Sequence, residues 1–209
     1  MERRLKYPRT LHLPWSPGAT SDDKRLGSLD HFEGKEVVVT EKMDGENTTL
    51  YRDGLHARSL DSRHHPSRDW VKGFQAGIAW ALPSGMRVCG ENLYARHSIS
   101  YDALDSFFLG FSVWRENTCL SWDDTMDWFE KLGISPVPVL DRGVFDSKRL
   151  QKLHSGESST SEGYVVRLAT AFELGDFAQS VAKFVRENHV QTDQHWAQSM
   201  IVLNALKNA

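Results

Sequence analysis

The sequence predicts an α+β fold in which largely antiparallel sheets are flanked by helices. Short apolar and β-branched runs, typical of strands, recur along the chain. A turn sequence at residues 52–54 (RDG) joins two of these runs as a hairpin. Segments with helical spacing fall irregularly between the strands, whereas a doubly wound parallel sheet requires regular alternation. The chain has 209 residues, 40% of them hydrophobic, which is enough to bury a core.

The predicted strands follow an irregular lead-in, residues 7–30, that is rich in Pro, Gly, Ser and Asp. Most of them are short runs rich in apolar or β-branched residues, and the third is assigned as the return strand of the hairpin. They cover residues 37–40, 48–51, 55–60, 86–89, 107–114, 163–168 and 181–185.

Four helices are predicted from apolar residues spaced three or four apart. The second is the best defined, because Ser121 is a good N-cap and Gly133 a good C-terminal stop. The others cover residues 70–82, 147–154 and 194–209. The polar segment that leads into the last one, from His189 to Trp196, suggests no specific chemistry.

Composition restricts the class of partner only weakly. The net charge is −3, so a nucleic-acid enzyme would have to concentrate its basic residues locally. The first nine residues do so with Arg3, Arg4, Lys6 and Arg9, a stretch most typical of a solvated tail. Two cysteines give neither a disulfide framework nor a zinc motif, which suits a reducing cytoplasm. No apolar run reaches the roughly 18 residues of a membrane span.

A candidate nucleophile follows the first predicted strand. Residues 41–45 read Glu-Lys-Met-Asp-Gly, so Lys42 stands beside a carboxylate and near a glycine. A lysine amine attacks only when deprotonated, and burial or a nearby cation lowers its pKa. Gly45 would let a phosphate approach the backbone. Taken alone, the segment is more typical of a charged turn between two strands.

Further motifs, which occur in a fixed order, favour a nucleophilic Lys42 over a simple charged turn. Residues 41–45 resemble the Lys-x-Asp-Gly motif of the superfamily of DNA ligases, RNA ligases and mRNA capping enzymes. Later segments resemble that superfamily's arginine element, Gly-Glu motif, aromatic strand, Glu-Gly-hydrophobic-Val motif and final lysine motif. These segments are, in order, residues 58–59, 90–91, 107–113, 162–167 and 181–186. The resemblance implies an ATP-grasp-like nucleotidyltransferase domain of the ligase adenylylation type.

The same resemblance implies the chemistry. Lys42 would attack the α-phosphorus of ATP, expel pyrophosphate and retain AMP as a phosphoramidate. Lys183 would neutralise charge on the phosphate oxygens, in preference to Arg186 three residues later. Glu162 would hold Mg²⁺ or Mn²⁺.

It also implies how the nucleoside is held. Glu91 would accept hydrogen bonds from the ribose hydroxyls, and Phe111, rather than Phe108, would stack on the purine. Three further nucleotide-binding candidates are Glu41, Asn47 and Arg58.

The RNA ligase branch, which includes phage RNA ligase 2 and the RNA-editing ligases, is the most similar. That branch shares Glu-Lys-x-x-Gly followed two residues later by Asn, matched here by Asn47, which in the family assists sealing. This chain departs from the branch at Asp44, where His is common, and at Ser112, where many members carry Asp. It also has Val185 where a second lysine is usual.

The sequence is expected to form one adenylylation domain, residues 1–209, without the C-terminal oligonucleotide-binding barrel of DNA ligases and capping enzymes. Only 23 residues follow Arg186, whereas such a barrel needs roughly 70. The expected function is an ATP-dependent RNA ligase that joins 5′-phosphate and 3′-hydroxyl RNA ends, with a possible partner protein that grips the substrate. The alternatives are a DNA nick ligase, a capping-type guanylyltransferase and a non-catalytic RNA-binding domain.

Overall fold

The computed structural model describes residues 2–61, 64–153, 161–187 and 201–207. In chain order its strands are β1 (Leu11–His12), β2 (Glu36–Glu41), β3 (Glu46–Tyr51), β4 (Gly54–Ala57), β5 (Met86–Asn92), β6 (Phe108–Arg115), β7 (Thr118–Cys119), β8 (Ser135–Pro136), β9 (Val139–Val144), β10 (Gly163–Leu168), β11 (Phe172–Glu173) and β12 (Val181–Val185). Its α-helices are α1 (Asp69–Ile78), α2 (Trp122–Leu132), α3 (Ser147–Lys152) and α4 (Phe177–Ser180). Short 3₁₀ turns cover Pro66–Arg68, Ala79–Ala81 and Leu174–Asp176.

The described strands form two sheets. The first has the order β1-β12-β10-β2-β9, and only the β1–β12 pair in it is parallel. The second has the order β11-β7-β6-β5-β3-β4, antiparallel throughout, with β8 added in parallel to the free half of β6. The α+β fold with largely antiparallel sheets is therefore confirmed.

The second sheet divides its side chains between two environments because strand residues alternate in direction. Leu50, Val88 and Val113 pack with α1 and α2 in one apolar cluster. Their neighbours Cys89 and Trp114 point the other way, into a cluster that also contains core residues of the first sheet. The sheets thus share a core, while the helices cover the outer face of the second.

Helix α2 begins and ends as the sequence predicts. The Ser121 hydroxyl oxygen accepts a hydrogen bond from the backbone N–H of Asp124, which caps the first turn. Gly133 ends the helix in the left-handed conformation, with φ of 64°.

Several predicted boundaries were wrong. The return strand of the hairpin ends at Ala57 rather than at residue 60, so Arg58 lies just beyond it. Strand β5 continues to Asn92, so Glu91 lies within a strand rather than after one. The short strands β1, β7, β8 and β11 and the exposed edge strand β9 have no strong sequence pattern and were missed; β1 lies within the lead-in that was predicted to be irregular.

The predicted C-terminal helix is also wrong where the structure describes it. Residues 201–207 are not helical; they bridge to Ala95 and Leu104. The buried side chain of Asn204 fixes this segment, since its amide donates to Leu93 O at 2.7 Å and its oxygen accepts from Tyr101 N at 3.0 Å. Three predicted segments lie outside the described residues: residues 194–200, the His189 to Trp196 segment and the end of the predicted third helix.

The basic N-terminal stretch is not a solvated tail. Arg4 pairs with Asp53 at 2.8 Å and lies over the Tyr51 ring, 4.4 Å from its centroid. The Tyr51 hydroxyl accepts a hydrogen bond from Leu5 N. This segment therefore packs against the second sheet. Within the described ranges, no helix is both long and apolar enough to cross a membrane.

Candidate active site

A cavity of about 640 Å³ lies between the two sheets. Side chains of β10 and β12 line it from the first sheet, and side chains of β3, β5 and β6 line it from the second. The N-terminal segment closes a third side with Tyr7, Arg9 and Asp23.

The wall from the first sheet follows directly from strand register. Val165 is opposite Lys183 and Thr40, while Arg167 is opposite Val181. Residues opposite one another, or two apart on a strand, share a face of the sheet. All five of these residues accordingly line the cavity.

The wall from the second sheet includes a β-bulge. Asn47 is opposite Glu91 on neighbouring strands, so both side chains point into the cavity. Between Cys89 and Gly90 the β5–β6 register shifts, which leaves Phe111 as the extra residue. The bulge allows Phe111 and Ser112, adjacent in sequence, both to line the cavity. Phe108 lies fully buried in the core instead.

Lys42 follows β2 at the rim of the first sheet. Its backbone N–H donates to Gly163 O at 2.9 Å, and its Nζ donates to Glu162 Oε2 at 2.6 Å. Burial lowers the pKa of the Lys42 amine, but the charges of Glu162 and Glu91 outweigh that effect and raise it above its ordinary value. The expectation of a lowered pKa was therefore wrong for the free protein, because Lys42 is paired with a buried carboxylate.

The other ionisable groups of the cavity are also shifted. Burial and the nearby charge of Lys42 lower the pKa of Lys183. Burial raises the pKa of Glu91 to about 8, although the charge of Lys42 partly opposes this. Burial likewise raises the pKa of Glu41. Such groups, concentrated in one cleft, are typical of a site that binds a charged ligand.

Residues 44 and 45 have structural roles. Asp44 Oδ2 accepts hydrogen bonds from the backbone N–H groups of Ser98 and Ile99, at 2.7 and 2.8 Å. A Cβ on residue 45 would lie 2.7 Å from Asn92 O and 3.0 Å from Glu91 Cγ. Close approach of strand β5 therefore already requires glycine there, whether or not a phosphate also approaches.

The structure brings the predicted site residues together. Seven of the eight line this one cavity, namely Glu41, Lys42, Asn47, Arg58, Glu91, Phe111 and Lys183. The eighth, Glu162, is buried directly behind Lys42. Arg58 is exposed at the rim, and Asn47 Oδ1 is a buried oxygen without a hydrogen-bond partner among the described residues. Arg186 instead donates to Ser161 O.

Sequence reasoning missed several residues that line the cavity. Tyr7 and Asp23 come from the irregular lead-in, where no periodic pattern marks an inward-facing side chain. Arg167 was noted only as the last residue of a motif, and His97 lies in the loop between β5 and β6. The aromatic Tyr7 within a basic stretch was the one available signal, since tyrosine is buried more often than lysine or arginine.

The fold and the cavity define a nucleotidyltransferase domain of the ligase superfamily. The sequence profile described as RNA ligase matches residues 35–185, more than two thirds of the chain. The chain therefore belongs to the RNA ligase family. No curated protein matches the chain.

Solved structures of Naegleria gruberi RNA ligase are similar in fold. A lysine-to-alanine mutant with ATP and Mn has 16% sequence identity and a TM-score of 0.53, over 76% of this chain and 52% of that one. The same ligase with PPi has 16% identity and a TM-score of 0.54, over 76% and 51%. A lysine-to-methionine mutant with AMP and Mn has 16% identity and a TM-score of 0.53, over 76% and 52%. The chain thus spans about half the length of the solved ligases it matches.

Proposed function

We propose that this chain is an ATP-dependent RNA ligase that forms a lysyl-AMP intermediate on Lys42 and joins 5′-phosphate to 3′-hydroxyl RNA ends. The observation that carries the proposal is the position of the Lys42 amine, at the rim of a cavity lined by Glu91, Phe111 and Lys183. Family membership, and solved structures of Naegleria gruberi RNA ligase with ATP, AMP, PPi and Mn, support the same chemistry.

The cavity lining offers suitable groups for both the nucleoside and the triphosphate of ATP. Phe111 offers a ring face for the purine, and Glu91 and Asn47 offer oxygens to the ribose hydroxyls. Lys183 and Arg58 supply positive charge for the triphosphate. Glu41, in the same lining, can accept a hydrogen bond from the purine amino group.

The first step transfers AMP to the protein. The Lys42 nitrogen forms a bond to the α-phosphorus while the bond from that phosphorus to the pyrophosphate oxygen breaks, and pyrophosphate leaves. The amine must lose a proton to solvent before it attacks. The Glu162 carboxylate, 2.6 Å from Nζ, raises the pKa of the amine, and a cation held by that carboxylate would remove this effect and favour the neutral amine. Lys183 stabilises negative charge that develops on the phosphate oxygens.

A divalent ion fits the site only together with the nucleotide. In the described parts of the chain, no group of three His, Cys, Asp or Glu side chains could hold a metal. Magnesium binds commonly through one or two carboxylates plus substrate phosphates and water. Glu162 would hold Mg²⁺ or Mn²⁺, and the bound ion would supply positive charge to the triphosphate oxygens.

The later steps require RNA. AMP passes from Lys42 to the 5′-phosphate, and the 3′-hydroxyl oxygen then bonds to that phosphorus while AMP leaves. Phosphate contacts dominate the grip on a polynucleotide. Among the described residues that line the cavity, the exposed cations are Arg9 and Arg58. We therefore propose that residues 1–209 act as one adenylylation domain that grips RNA weakly and relies on a partner protein or a structured substrate.

The test compares two rates in the isolated chain: AMP transfer from α-labelled ATP to Lys42, and joining of a 5′-phosphorylated RNA. We expect efficient transfer, slow joining, and joining that falls steeply between low and moderate salt. The matched control is Arg115→Met, an exposed arginine on β6 outside the cavity, against Arg58→Met at the rim. Only the second should slow joining.

Three outcomes would contradict the proposal. Transfer from GTP in preference to ATP would indicate a capping-type guanylyltransferase. Joining of nicked DNA but not RNA would indicate a DNA ligase. Absence of any covalent transfer, with RNA still bound, would indicate a non-catalytic binding domain.

The proposed location is the cytoplasm. Cys89 and Cys119 are both free and buried, so neither depends on an oxidising compartment.

A further inference from the structure

A buried arginine in the cavity wall has one guanidinium nitrogen without a hydrogen-bond partner among the described residues. Arg167 is 5% exposed and lines the cavity. Its Nε donates to Leu168 O at 3.0 Å and its Nη2 donates to Leu120 O at 2.8 Å. Its Nη1 is buried and has no hydrogen-bond partner among the described residues. A buried donor left unsatisfied is costly, so such an atom in a cavity wall indicates a ligand group that it meets.

The charge of Arg167 is also uncompensated in the described part of the chain. No ion pair to a carboxylate forms there, and the guanidinium lies instead 5.6 Å from the Trp122 ring and 5.5 Å from the Phe172 ring. The Cys119 thiol lies beside the guanidinium as a weak hydrogen-bonding neighbour, but burial raises the pKa of that thiol to about 11, so it brings no compensating charge. Ser112, in the same cavity, offers a hydroxyl that already accepts from Trp114 Nε1 at 3.0 Å.

Strand geometry places Arg167 at the end of the cavity away from Lys42. Lys42 N is bonded to Gly163 O, and Arg167 lies four residues further along the same strand, β10. At about 3.4 Å per residue, Gly163 and Arg167 are roughly 14 Å apart along the strand. Phe111, the proposed stacking ring, and Val165, which lies between those two residues, both pack against the same core cluster. A nucleotide with its phosphates at Lys42 and its base on Phe111 extends toward Arg167.

We propose that Arg167 recognises the base of a nucleotide bound as in the proposed function: Arg167 Nη1 donates a hydrogen bond to a ring nitrogen of adenine. An arginine can only donate, so the group it meets must be an acceptor. On adenine, N1 and N7 are acceptors, whereas the amino group is a donor and suits a carboxylate such as Glu41. The two backbone carbonyls that hold Nε and Nη2 fix the direction of Nη1 before the ligand arrives, which makes Arg167 a specificity-determining residue.

The test removes one acceptor atom at a time from the ligand. Adenylylation of Lys42 is measured with ATP, 1-deaza-ATP and 7-deaza-ATP, in the wild-type chain and in Arg167→Met. In the wild type, removal of one of the two nitrogens should lower kcat/KM roughly tenfold or more, because a buried charged donor loses its acceptor. In Arg167→Met the same analogue should react as well as ATP. Arg115→Met, an exposed arginine on β6, should behave as the wild type.

Equal use of all three nucleotides by the wild type would overturn the proposal, and that result needs no variant to fold. An equal penalty in the wild type and in Arg167→Met would overturn it as well. If Lys42 reacts with no nucleotide, the proposed ligase function fails instead. Calorimetric binding of ATP and the two analogues to the wild type would then still decide the role of Arg167, by the same tenfold criterion.

Discussion

Replacement of Tyr7 by alanine tests whether the N-terminal segment is part of the active site. The Tyr7 ring meets the rings of Phe111 and Phe177 edge-on, with centroids 5.3 Å apart in each pair. Each such pair contributes about 0.5–1.5 kcal/mol beyond burial. With the cavity left by the missing ring, we expect Tyr7→Ala to lower the free energy of unfolding by about 3 kcal/mol.

The same change should weaken ATP binding, because Phe111 loses the ring that holds its orientation. We expect KM for ATP in the adenylylation of Lys42 to rise roughly tenfold, equivalent to about 1.4 kcal/mol, with a smaller change in kcat. The control is Tyr7→Phe, which keeps both ring contacts and should stay within about twofold of wild type in KM. Urea unfolding gives the stability, and initial rates of AMP transfer at varied ATP give KM.

Two results would refute this reasoning separately. If Tyr7→Ala is as stable as the wild type, the lead-in does not pack on the second sheet as described. If Tyr7→Ala is destabilised but its KM for ATP is unchanged, Phe111 does not contribute to nucleotide binding.

Two further perturbations test single groups. Glu162→Ala should abolish AMP transfer, because the carboxylate 2.6 Å from Lys42 Nζ is lost. Excess chelator should abolish transfer in the wild type, because the ion that Glu162 would hold is removed. Undiminished transfer in chelator would contradict the metal role of Glu162. Burial lowers the pKa of His12 to about 4, so the unfolded chain binds that proton more readily between pH 4 and 6.5. The free energy of unfolding, measured by urea unfolding, should therefore rise with pH across this window. The rise in the wild type should exceed the rise in His12→Asn by at most about 3 kcal/mol. An equal pH dependence in the two proteins would argue against a buried neutral imidazole.

The elements that the sequence predicted correctly are those with strong local signals. Residues 163–168 and 181–185 are strands as predicted, because both are rich in β-branched and aromatic residues and are buried between neighbouring strands. Helix α2 carries its own cap and stop, Ser121 and Gly133. Edge strands such as β9 have little buried surface, so their sequences show no alternation and local patterns do not reveal them.

The site residues also divide into those that the sequence predicted and those that it did not. The motif residues were found because their order along the chain restricts them, and the fold brings all eight to one place. Tyr7 and Arg167 were missed as functional candidates, because their importance depends on contacts across many residues of sequence. The pKa of Lys42 was misjudged for the same reason: Glu162, 120 residues away in sequence, is hydrogen-bonded to it.

The attachment site of AMP is the most direct test of the account. The wild-type chain is incubated with ATP and Mg²⁺ or Mn²⁺, digested and examined by mass spectrometry, alongside Lys42→Ala, Lys42→Arg and the control Lys35→Ala, an exposed lysine just before β2. One AMP should be found on Lys42 in the wild type and in Lys35→Ala. Neither Lys42 variant should carry AMP, since alanine has no amine and a guanidinium stays protonated. AMP on another residue of the wild type, or undiminished labelling of folded Lys42→Ala, would contradict the assignment of Lys42 as the nucleophile.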